Sequence, residues 1–300
     1  MTTTDKLGFL AAVEPLRHIV EAELDLLTRY GPECPSVLKE AIRHSLLSVG
    51  KRLRAVLVLM AARACGQQDN SAIPAACAVE MVHTYSLIHD DLPAMDDDDL
   101  RRGVPTCHRL FGEANAILAG DALLAQAFEV LASADLPSEV IARCCRELAT
   151  AAGASNLVGG QVDDLAGNSP WHQNQFEQLE AIHRRKTGAM FRVAVRLGAI
   201  VGGGSDEQLA ALDTYGSTLG LAFQITDDLL DEQGDERQLG KRTGKDVERG
   251  KLTFPGLLGE EESRRRAVAL MEEASEALAC FDSGTEQLIQ LTRFVLEREK

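Results

Sequence analysis

Aromatic residues are scarce in this chain: they account for 4% of its 300 positions, with one tryptophan and three tyrosines. β-Sheets favour aromatic and β-branched residues, whereas alanine and leucine, which abound here, suit closely packed helices. No stretch alternates polar and apolar residues for long enough to indicate a strand. Since the hydrophobic fraction is still 45%, the composition predicts an all-α protein with a substantial core.

Several features of secreted and membrane proteins are also missing. The segment Met1–Lys6 has no apolar signal core. The longest apolar run, Ala55–Ala62, is far too short to span a bilayer. The seven cysteines include no C-x-x-C pair, which is typical of buried thiols in a reducing compartment. We therefore expect a cytoplasmic protein without a membrane span.

Basic residues are outnumbered, and the net charge of −15 is accompanied by no basic patch with interleaved aromatic residues. This pattern argues against nucleic acid as a partner. No proline- or serine-rich linker marks a boundary, so residues 1–300 are predicted to form a single domain. An acidic protein that handles anions must concentrate its positive charge locally or obtain it from metal ions.

The densest charge lies at the end of an apolar segment, where six aspartates fall between positions 90 and 99. Packed carboxylates raise one another's pKa unless a cation intervenes, and Mg²⁺ is a natural match for oxygen ligands. Pro93 should end the preceding helix, so a loop would deliver Asp96 close to Asp90. A run of like charge is more often a solvated face, so this segment does not decide the question alone.

A second acidic segment contains Asp227, Asp228 and Asp231 in an apolar context that includes Phe223 and Leu229. Positions i and i+4 share one helix face, so Asp227 and Asp231 should lie about 6 Å apart, where a metal could bridge them. A solvated face would not be flanked by such large apolar residues. Two such segments together favour a metal site.

Two glycine- and lysine-containing stretches could supply the positive charge. Lys51 and Arg54 lie one helical turn apart beside Gly50, and they could cradle a phosphate; the alternative is an ordinary charged helix end. The connection between Gly234 and Pro255 is long enough to be a lid or binding loop, and the alternative is a solvated loop. With two metal-binding segments, these groups would stabilise a departing diphosphate.

On these motifs the chain resembles the trans-polyprenyl diphosphate synthases, and most closely the bacterial farnesyl diphosphate synthases. The resemblance implies an all-α, single-domain bundle of packed helices around a deep central cavity, usually a homodimer. It also implies Mg²⁺-dependent condensation of isopentenyl diphosphate with dimethylallyl or geranyl diphosphate. The residues that carry it are Gly50–Arg54, Asp90, Asp91, Asp96, Arg101–Gly103, Lys186, Thr187, Phe223, Gln224, Asp227, Asp228, Asp231, Lys241 and Lys251.

The resemblance also assigns roles to these residues. It implies about three Mg²⁺ ions per site, with Mn²⁺ as a possible substitute, held by Asp90, Asp91, Asp96, Asp227, Asp228 and Asp231. The residues implied to bind isopentenyl diphosphate are Gly50, Lys51, Arg54, His83 and Arg102. Those implied to bind the allylic diphosphate are Arg101, Lys186, Thr187, Gln224, Lys241 and Lys251. Among these, catalysis is assigned to Lys186, Thr187, Gln224 and Arg101.

Product length depends mainly on Tyr85, which precedes Asp90 by five residues, or about 7.5 Å along a helix. By resemblance, Tyr85, Ser86 and the inserted Pro93-Ala94 imply a C15 product, with the tyrosine ring as the cavity floor. The alternatives are that Tyr85 is a core residue and that the product is geranyl or geranylgeranyl diphosphate. More remote possibilities are a class I terpene cyclase, which accepts one diphosphate, and an inactive subunit.

Overall fold

The computed structural model describes residues 3–67, 70–166, 174–233 and 251–296. Nearly all regular structure in these ranges is helical, which confirms the predicted all-α fold class. The α-helices in chain order are α1 Thr3–Leu27, α2 Ser36–Leu46, α3 Leu53–Ala64, α4 Ile73–Asp90, α5 Cys107–Phe111, α6 Glu113–Ala132, α7 Ser138–Ala152, α8 Leu157–Ala166, α9 Gln175–His183, α10 Ala189–Val201, α11 Asp206–Gln233, α12 Phe254–Leu258, α13 Glu260–Ala277 and α14 Glu286–Leu296.

Helix α4 lies at the centre of the bundle and packs against α3, α6 and α10. Most of its side chains are buried, as is nearly the whole of α10. Close contact between α3 and α10 depends on Gly198, because a Cβ there would overlap the carbonyl oxygen of Val58. The low aromatic content thus corresponds to helices that approach one another through small side chains.

The end of α4 follows the sequence prediction. Pro74 lies in its first turn, where its missing N–H costs nothing, and the helix stops before Pro93. The chain then turns back, so that the amide of Asp96 donates to the carbonyl of Asp90 at 2.8 Å. A loop therefore delivers Asp96 beside Asp90, as expected.

A short antiparallel hairpin follows, with β1 Leu100–Arg101 paired to β2 Val104–Pro105. It is the one departure from all-helical structure in the described ranges. Its turn places Arg102 at φ 53° and Gly103 at φ 80°, the left-handed region that glycine adopts readily. Arg101 belongs to β1, whereas Arg102 lies in the left-handed turn, and the two side chains have different partners. Arg101 pairs with Asp91, and Arg102 donates to the Val49 carbonyl.

A wide turn of π-helix, Arg184–Gly188, separates α9 from α10. Gly160 of α8 packs closely against this turn, because a Cβ there would lie 2.6 Å from the backbone nitrogen of Lys186. Helices α5 and α6 are separated at Gly112, whose φ is 83°.

One described helix, α6, is long and apolar enough to cross a membrane by length and composition alone. Core helices of water-soluble proteins often meet the same criterion. Here α6 packs along α4 and also contacts α2, α5 and α7, which accounts for its apolar character without a bilayer.

Candidate functional site

A cleft of about 250 Å³ opens where the C-terminal end of α4 meets α8, α11, the wide turn and the segment 251–253. It combines both acidic segments with basic and polar side chains from distant parts of the sequence. The predicted residues that line it are Asp90, Asp96, Arg101, Lys186, Thr187, Gln224, Asp228, Asp231 and Lys251.

A carboxylate that the sequence analysis did not assign, Asp164 of α8, organises the basic side of this cleft. Its Oδ2 accepts hydrogen bonds from Lys186 Nζ at 2.9 Å and from Lys251 Nζ at 3.3 Å. The Lys186 ammonium lies 3.6 Å from Asp90 Oδ2, and that of Lys251 lies 3.2 Å from Asp96 Oδ1. The only signal in the sequence was a polar stretch bounded by glycines.

Burial and crowding shift the proton affinities of these groups. Burial raises the pKa of Asp90, and the neighbouring carboxylates of Asp96 and Asp164 add to the rise although Lys186 opposes it. Burial also works to raise the pKa of Asp164, but Lys186 and Lys251 outweigh it and hold that pKa below its usual value. The raised pKa indicates that the Asp90 carboxylate would favour an additional cation beside it.

Asp91, predicted as a metal ligand, is not among the residues that line the described cleft. It is 3% exposed, and its carboxylate accepts hydrogen bonds from Arg101 Nε at 2.9 Å and from Arg101 Nη2 at 2.5 Å. Such a bidentate ion pair fixes the planar guanidinium strongly. Asp91 therefore positions Arg101, which itself lines the cleft.

In the second acidic segment, Asp228 and Asp231 line the cleft, and Asp227 does not belong to the described lining. Asp227 and Asp231 lie at i and i+4 on α11 as expected, and their joint binding of a metal stays a prediction. Asp228 Oδ2 accepts a hydrogen bond from the backbone nitrogen of Phe254 at 3.0 Å and lies 3.6 Å from His183 Nε2. These contacts tie the segment that carries Lys251 to α11.

Thr187 and Gln224, both predicted as catalytic, form a directed chain of hydrogen bonds. The Thr187 hydroxyl donates to Gln224 Oε1 at 3.0 Å, and Gln224 Nε2 donates to Asp228 Oδ1 at 3.1 Å. This arrangement fixes the amide orientation. It holds the oxygen atoms of the Thr187 hydroxyl and the Gln224 amide close to the Asp228 carboxylate.

The residues predicted to bind isopentenyl diphosphate form a separate group, here called the cationic cluster: Lys51, Arg54, His83 and Arg102. Arg54 Nη1 lies 3.1 Å from His83 Nε2, and Arg102 Nη1 donates to the Val49 carbonyl at 3.1 Å. Burial, followed by the charges of Arg54 and Arg102, holds the pKa of His83 well below its usual value. His83 is therefore neutral and can accept from Arg54.

The cationic cluster meets the cleft at the hairpin. Arg101 and Arg102 both line a small hollow of about 30 Å³ behind it. Gly50 lies against the tip of the Arg102 side chain: a Cβ at that position would lie 2.5 Å from Arg102 Nη1, and that flexible side chain would have to shift. Lys51 Nζ lies 5.4 Å from the centre of the Phe294 ring, so the last described helix also contributes to this region.

The predicted chain-length residues lie in the same part of α4. Tyr85 is 7% exposed and packs edge-on against His89, with ring centres 5.7 Å apart. It is not among the residues that line the described cleft. Ser86 donates its hydroxyl to the His83 carbonyl at 2.8 Å. Lys241, predicted to bind the allylic diphosphate, lies outside the described residues.

The cleft is suited to a hard divalent cation, because its ligating atoms are predominantly carboxylate oxygens. Asp90, Asp96, Asp228 and Asp231 are the side chains that would hold it. In the part of the chain that the structure describes, no group of three or more His, Cys, Asp or Glu residues is arranged around a common point. The carboxylates of Asp90 and Asp96 are paired with lysine ammonium groups instead.

Comparisons with known proteins agree with this arrangement. Geranylgeranyl pyrophosphate synthase 12, chloroplastic, from Arabidopsis thaliana is 48% identical over 274 residues, which cover 90% of this chain and 76% of that protein. The heterodimeric geranylgeranyl pyrophosphate synthase large subunit 1, chloroplastic, of the same plant is 48% identical over 271 residues, which cover 88% and 73% of the two chains.

Solved structures share the fold over nearly their whole length. An FPP/GFPP synthase from Zymomonas mobilis superposes with a TM-score of 0.85 at 33% identity, covering 97% of this chain and 99% of that one. A geranyltransferase from Legionella pneumophila gives a TM-score of 0.82 at 34% identity, covering 98% of each. The family model described as polyprenyl synthetase matches residues 35–285. With two acidic segments meeting in one cleft and matches of this extent, the chain belongs to the polyprenyl synthetase family.

Proposed function

We propose that this protein condenses isopentenyl diphosphate head-to-tail with allylic diphosphates and releases diphosphate. The observation that carries the proposal is the meeting of both acidic segments with Lys186 and Lys251 in one cleft. Carboxylates that hold Mg²⁺ and lysines that contact diphosphate oxygens would together stabilise the charge on a departing group. The elongation of a prenyl chain is also what the family membership supports.

Each group in the cleft has a role in this reaction. Mg²⁺ would be held by Asp90, Asp96, Asp228 and Asp231. The bound metal would act as a Lewis acid on the diphosphate of the allylic substrate. Lys186, Lys251 and Arg101 would bind the same diphosphate. Thr187 and Gln224 present their oxygen atoms to the allylic carbocation left behind, because the bond to Asp228 holds the amide in place.

The cationic cluster would hold the second substrate. Lys51, Arg54 and Arg102 supply three charges for the diphosphate of isopentenyl diphosphate, and neutral His83 supports Arg54. Attack of its double bond on the carbocation forms the new carbon–carbon bond, and loss of a proton to the released diphosphate completes the condensation. Binding both substrates at fixed sites makes the step effectively unimolecular. A terpene cyclase accepts one diphosphate, so it would leave this cluster without a substrate.

Three product lengths are in competition. The large buried side chain of Tyr85 in the turn below Asp90 supports (2E,6E)-farnesyl diphosphate, and FPP appears in the name of one structural neighbour. The names of the curated relatives favour geranylgeranyl diphosphate instead, since those at 48% identity are geranylgeranyl pyrophosphate synthases. Geranyl diphosphate is the shortest alternative.

The partner and compartment are also proposals. Helices α5 and α6 expose Leu110, Ile117 and Leu118 at 52%, 44% and 54%, and such an apolar surface suits a second copy of the chain. A heterodimeric relative makes an unlike partner the competing possibility. The cytoplasmic location expected from the sequence competes with a plastid, because several relatives are described as chloroplastic.

The test is product identification by mass spectrometry. Purified protein is incubated with Mg²⁺, isopentenyl diphosphate and either dimethylallyl or geranyl diphosphate. A C15 product supports the farnesyl proposal, and a C20 product supports the geranylgeranyl alternative with the same chemistry. Failure to consume isopentenyl diphosphate with either primer would contradict prenyl elongation and favour a cyclase or an inactive subunit.

A further inference from the structure

Arg52 differs from its basic neighbours because its side chain is directed into the protein. It is 4% exposed, although arginine is almost never fully buried unless it is paired. Its backbone is left-handed, with φ 49° and ψ 33°, at the residue that precedes α3. This conformation is uncommon outside glycine. A strained, buried arginine in the middle of a substrate-binding motif requires an explanation other than substrate contact.

Its guanidinium joins three separate parts of the chain. Nη1 lies 3.2 Å from Oε1 of Glu80 on α4, a residue that is itself 2% exposed. Nη2 donates to the Ser48 carbonyl at 2.8 Å, and Nε lies 3.6 Å from Oε1 of Glu21 on α1. The planar fork of arginine can make these contacts together, whereas a lysine ammonium cannot.

These contacts reach both halves of the cationic cluster. Along the chain, Arg52 is adjacent to Lys51 and two residues from Arg54. Along α4, Glu80 precedes His83 by one helical turn, so their side chains lie on the same face. Because Arg54 contacts His83 directly, any movement of the turn relative to α4 would separate these two cluster residues.

The Glu80 carboxylate also supplies negative charge beneath a crowded set of arginines. Burial is the main factor that lowers the pKa of Arg102, and Glu80 is the first group that opposes the fall. The same ion pair therefore has two effects. It holds the turn that contains Arg52 against α4. The Glu80 carboxylate also offsets part of the repulsion between the neighbouring arginines, Arg52 and Arg102.

We propose that Arg52 and Glu80 form a positioning pair that presents Lys51 and Arg54 to the diphosphate of isopentenyl diphosphate. The inference rests on the proposed function, because it assigns that substrate to the cationic cluster. Arg52 acts through its neighbours and does not touch the substrate. The allylic site, built around Asp164 and Lys186 on other elements, does not depend on this pair.

The experiment compares R52K with wild-type protein by measuring KM for each substrate separately. R52K keeps the positive charge but loses the planar guanidinium that contacts Glu80 and the Ser48 carbonyl together. KM for isopentenyl diphosphate should therefore rise about tenfold. KM for the allylic diphosphate should stay within about twofold. R52G provides a second variant, because glycine favours the left-handed backbone while the side-chain anchor is removed. It should show the same selective rise in KM.

A matched control is R196K. Arg196 also forms a multiple ion pair, with Nε 2.8 Å from Glu147 Oε2 and Nη1 2.6 Å from Asp213 Oδ1, but it joins α10 to α7 and α11. R196K should lower the melting temperature without a selective change in KM. Equal changes in both KM values for R52K and R52G, or none, would overturn the positioning pair. A wild-type protein that does not elongate would instead overturn the proposed function.

Discussion

Lys186 of the wide turn and Asp164 of α8 are bound to each other at 2.9 Å, and through Asp164 the lysine is linked to Lys251. The three residues are far apart in the sequence, yet they form the basic wall of the cleft. Since the two ammonium groups would repel each other without the carboxylate, Asp164 determines whether both can face one ligand.

Replacing Asp164 by asparagine should therefore weaken the allylic site. We expect kcat/KM for the allylic diphosphate to fall about tenfold, corresponding to about 1.4 kcal/mol. Steady-state kinetics with geranyl diphosphate as the varied substrate measures this. The matched control is D163N, because the adjacent Asp163 pairs with Arg185 instead and is not in the described lining of the cleft. Equal losses in the two variants would contradict a specific role for Asp164.

The Mg²⁺ dependence of turnover should differ between variants of neighbouring aspartates in the first acidic segment. Chelation with EDTA should abolish turnover, and added Mg²⁺ should restore it. D90N should lower kcat roughly 100-fold, the scale found when a group that stabilises transition-state charge is removed, and should require more Mg²⁺. Turnover measured across a Mg²⁺ titration tests both effects.

The control for that titration is D97N in the same acidic run. Asp97 is exposed and has a φ of 45°, a conformation that asparagine tolerates well. D97N should retain the Mg²⁺ dependence of the wild type. If D97N and D90N were equally impaired, the loss would reflect total negative charge rather than a site at Asp90.

Removing the Tyr85 ring should lengthen the product. Y85A opens space below Asp90, and we expect C20 to replace C15 as the main product in mass spectrometry. Y85F keeps the ring and should keep the wild-type product. Unchanged C15 output from Y85A would eliminate Tyr85 as the floor. A C20 product from the wild type itself would show that the ring does not limit the chain.

The Glu147–Arg196 ion pair should make stability depend on pH. Hydrogen bonding to Arg196 lowers the pKa of Glu147 from its ordinary value of 4.5. A carboxyl whose pKa is lower in the folded state stabilises the fold above pH 4.5 and loses this effect as pH falls through the folded pKa. E147Q should therefore reduce the free energy of unfolding by about 1 kcal/mol at pH 7.

Chemical denaturation at pH 7 and at pH 3 measures that effect. The difference between E147Q and wild type should shrink at the lower pH, because the wild-type carboxyl is then increasingly protonated. E139Q is a control on the same helix, since Glu139 is exposed and lies in the first turn of α7, about two turns before Glu147. A difference that stayed constant with pH would point to packing rather than charge.

Local patterns were sufficient to predict the all-α fold class and the loop that carries Asp96. Proline geometry acts over a few residues, so the end of α4 could be inferred directly. The contacts of Asp228 could not be inferred, because they depend on how α11 packs against α12. Asp228 accepts a hydrogen bond from the backbone amide of Phe254, which is 26 residues away.

Asp164 was missed for a related reason. An acidic residue on a helix is usually a surface residue, and only the fold brings Lys186 and Lys251 to Asp164. The direction of Arg52 is likewise determined by Glu21 and Glu80, which belong to two other helices. Residue type predicted the chemistry of the motif, but the packing of α1 and α4 decides which of its cations faces inward.

The wide turn at Arg184–Gly188 amounts to one extra residue in an otherwise continuous helical rod. If the turn closed to ordinary α-helical spacing with all its residues kept, everything that follows would rotate by about 100°. Arg192 and Arg196 would then turn toward positions now filled by Val193 and Leu197, which are buried. The wide turn thus absorbs the extra residue and preserves the phase between the helical surfaces on its two sides, so insertion of a further residue there should be far less tolerated than a point substitution.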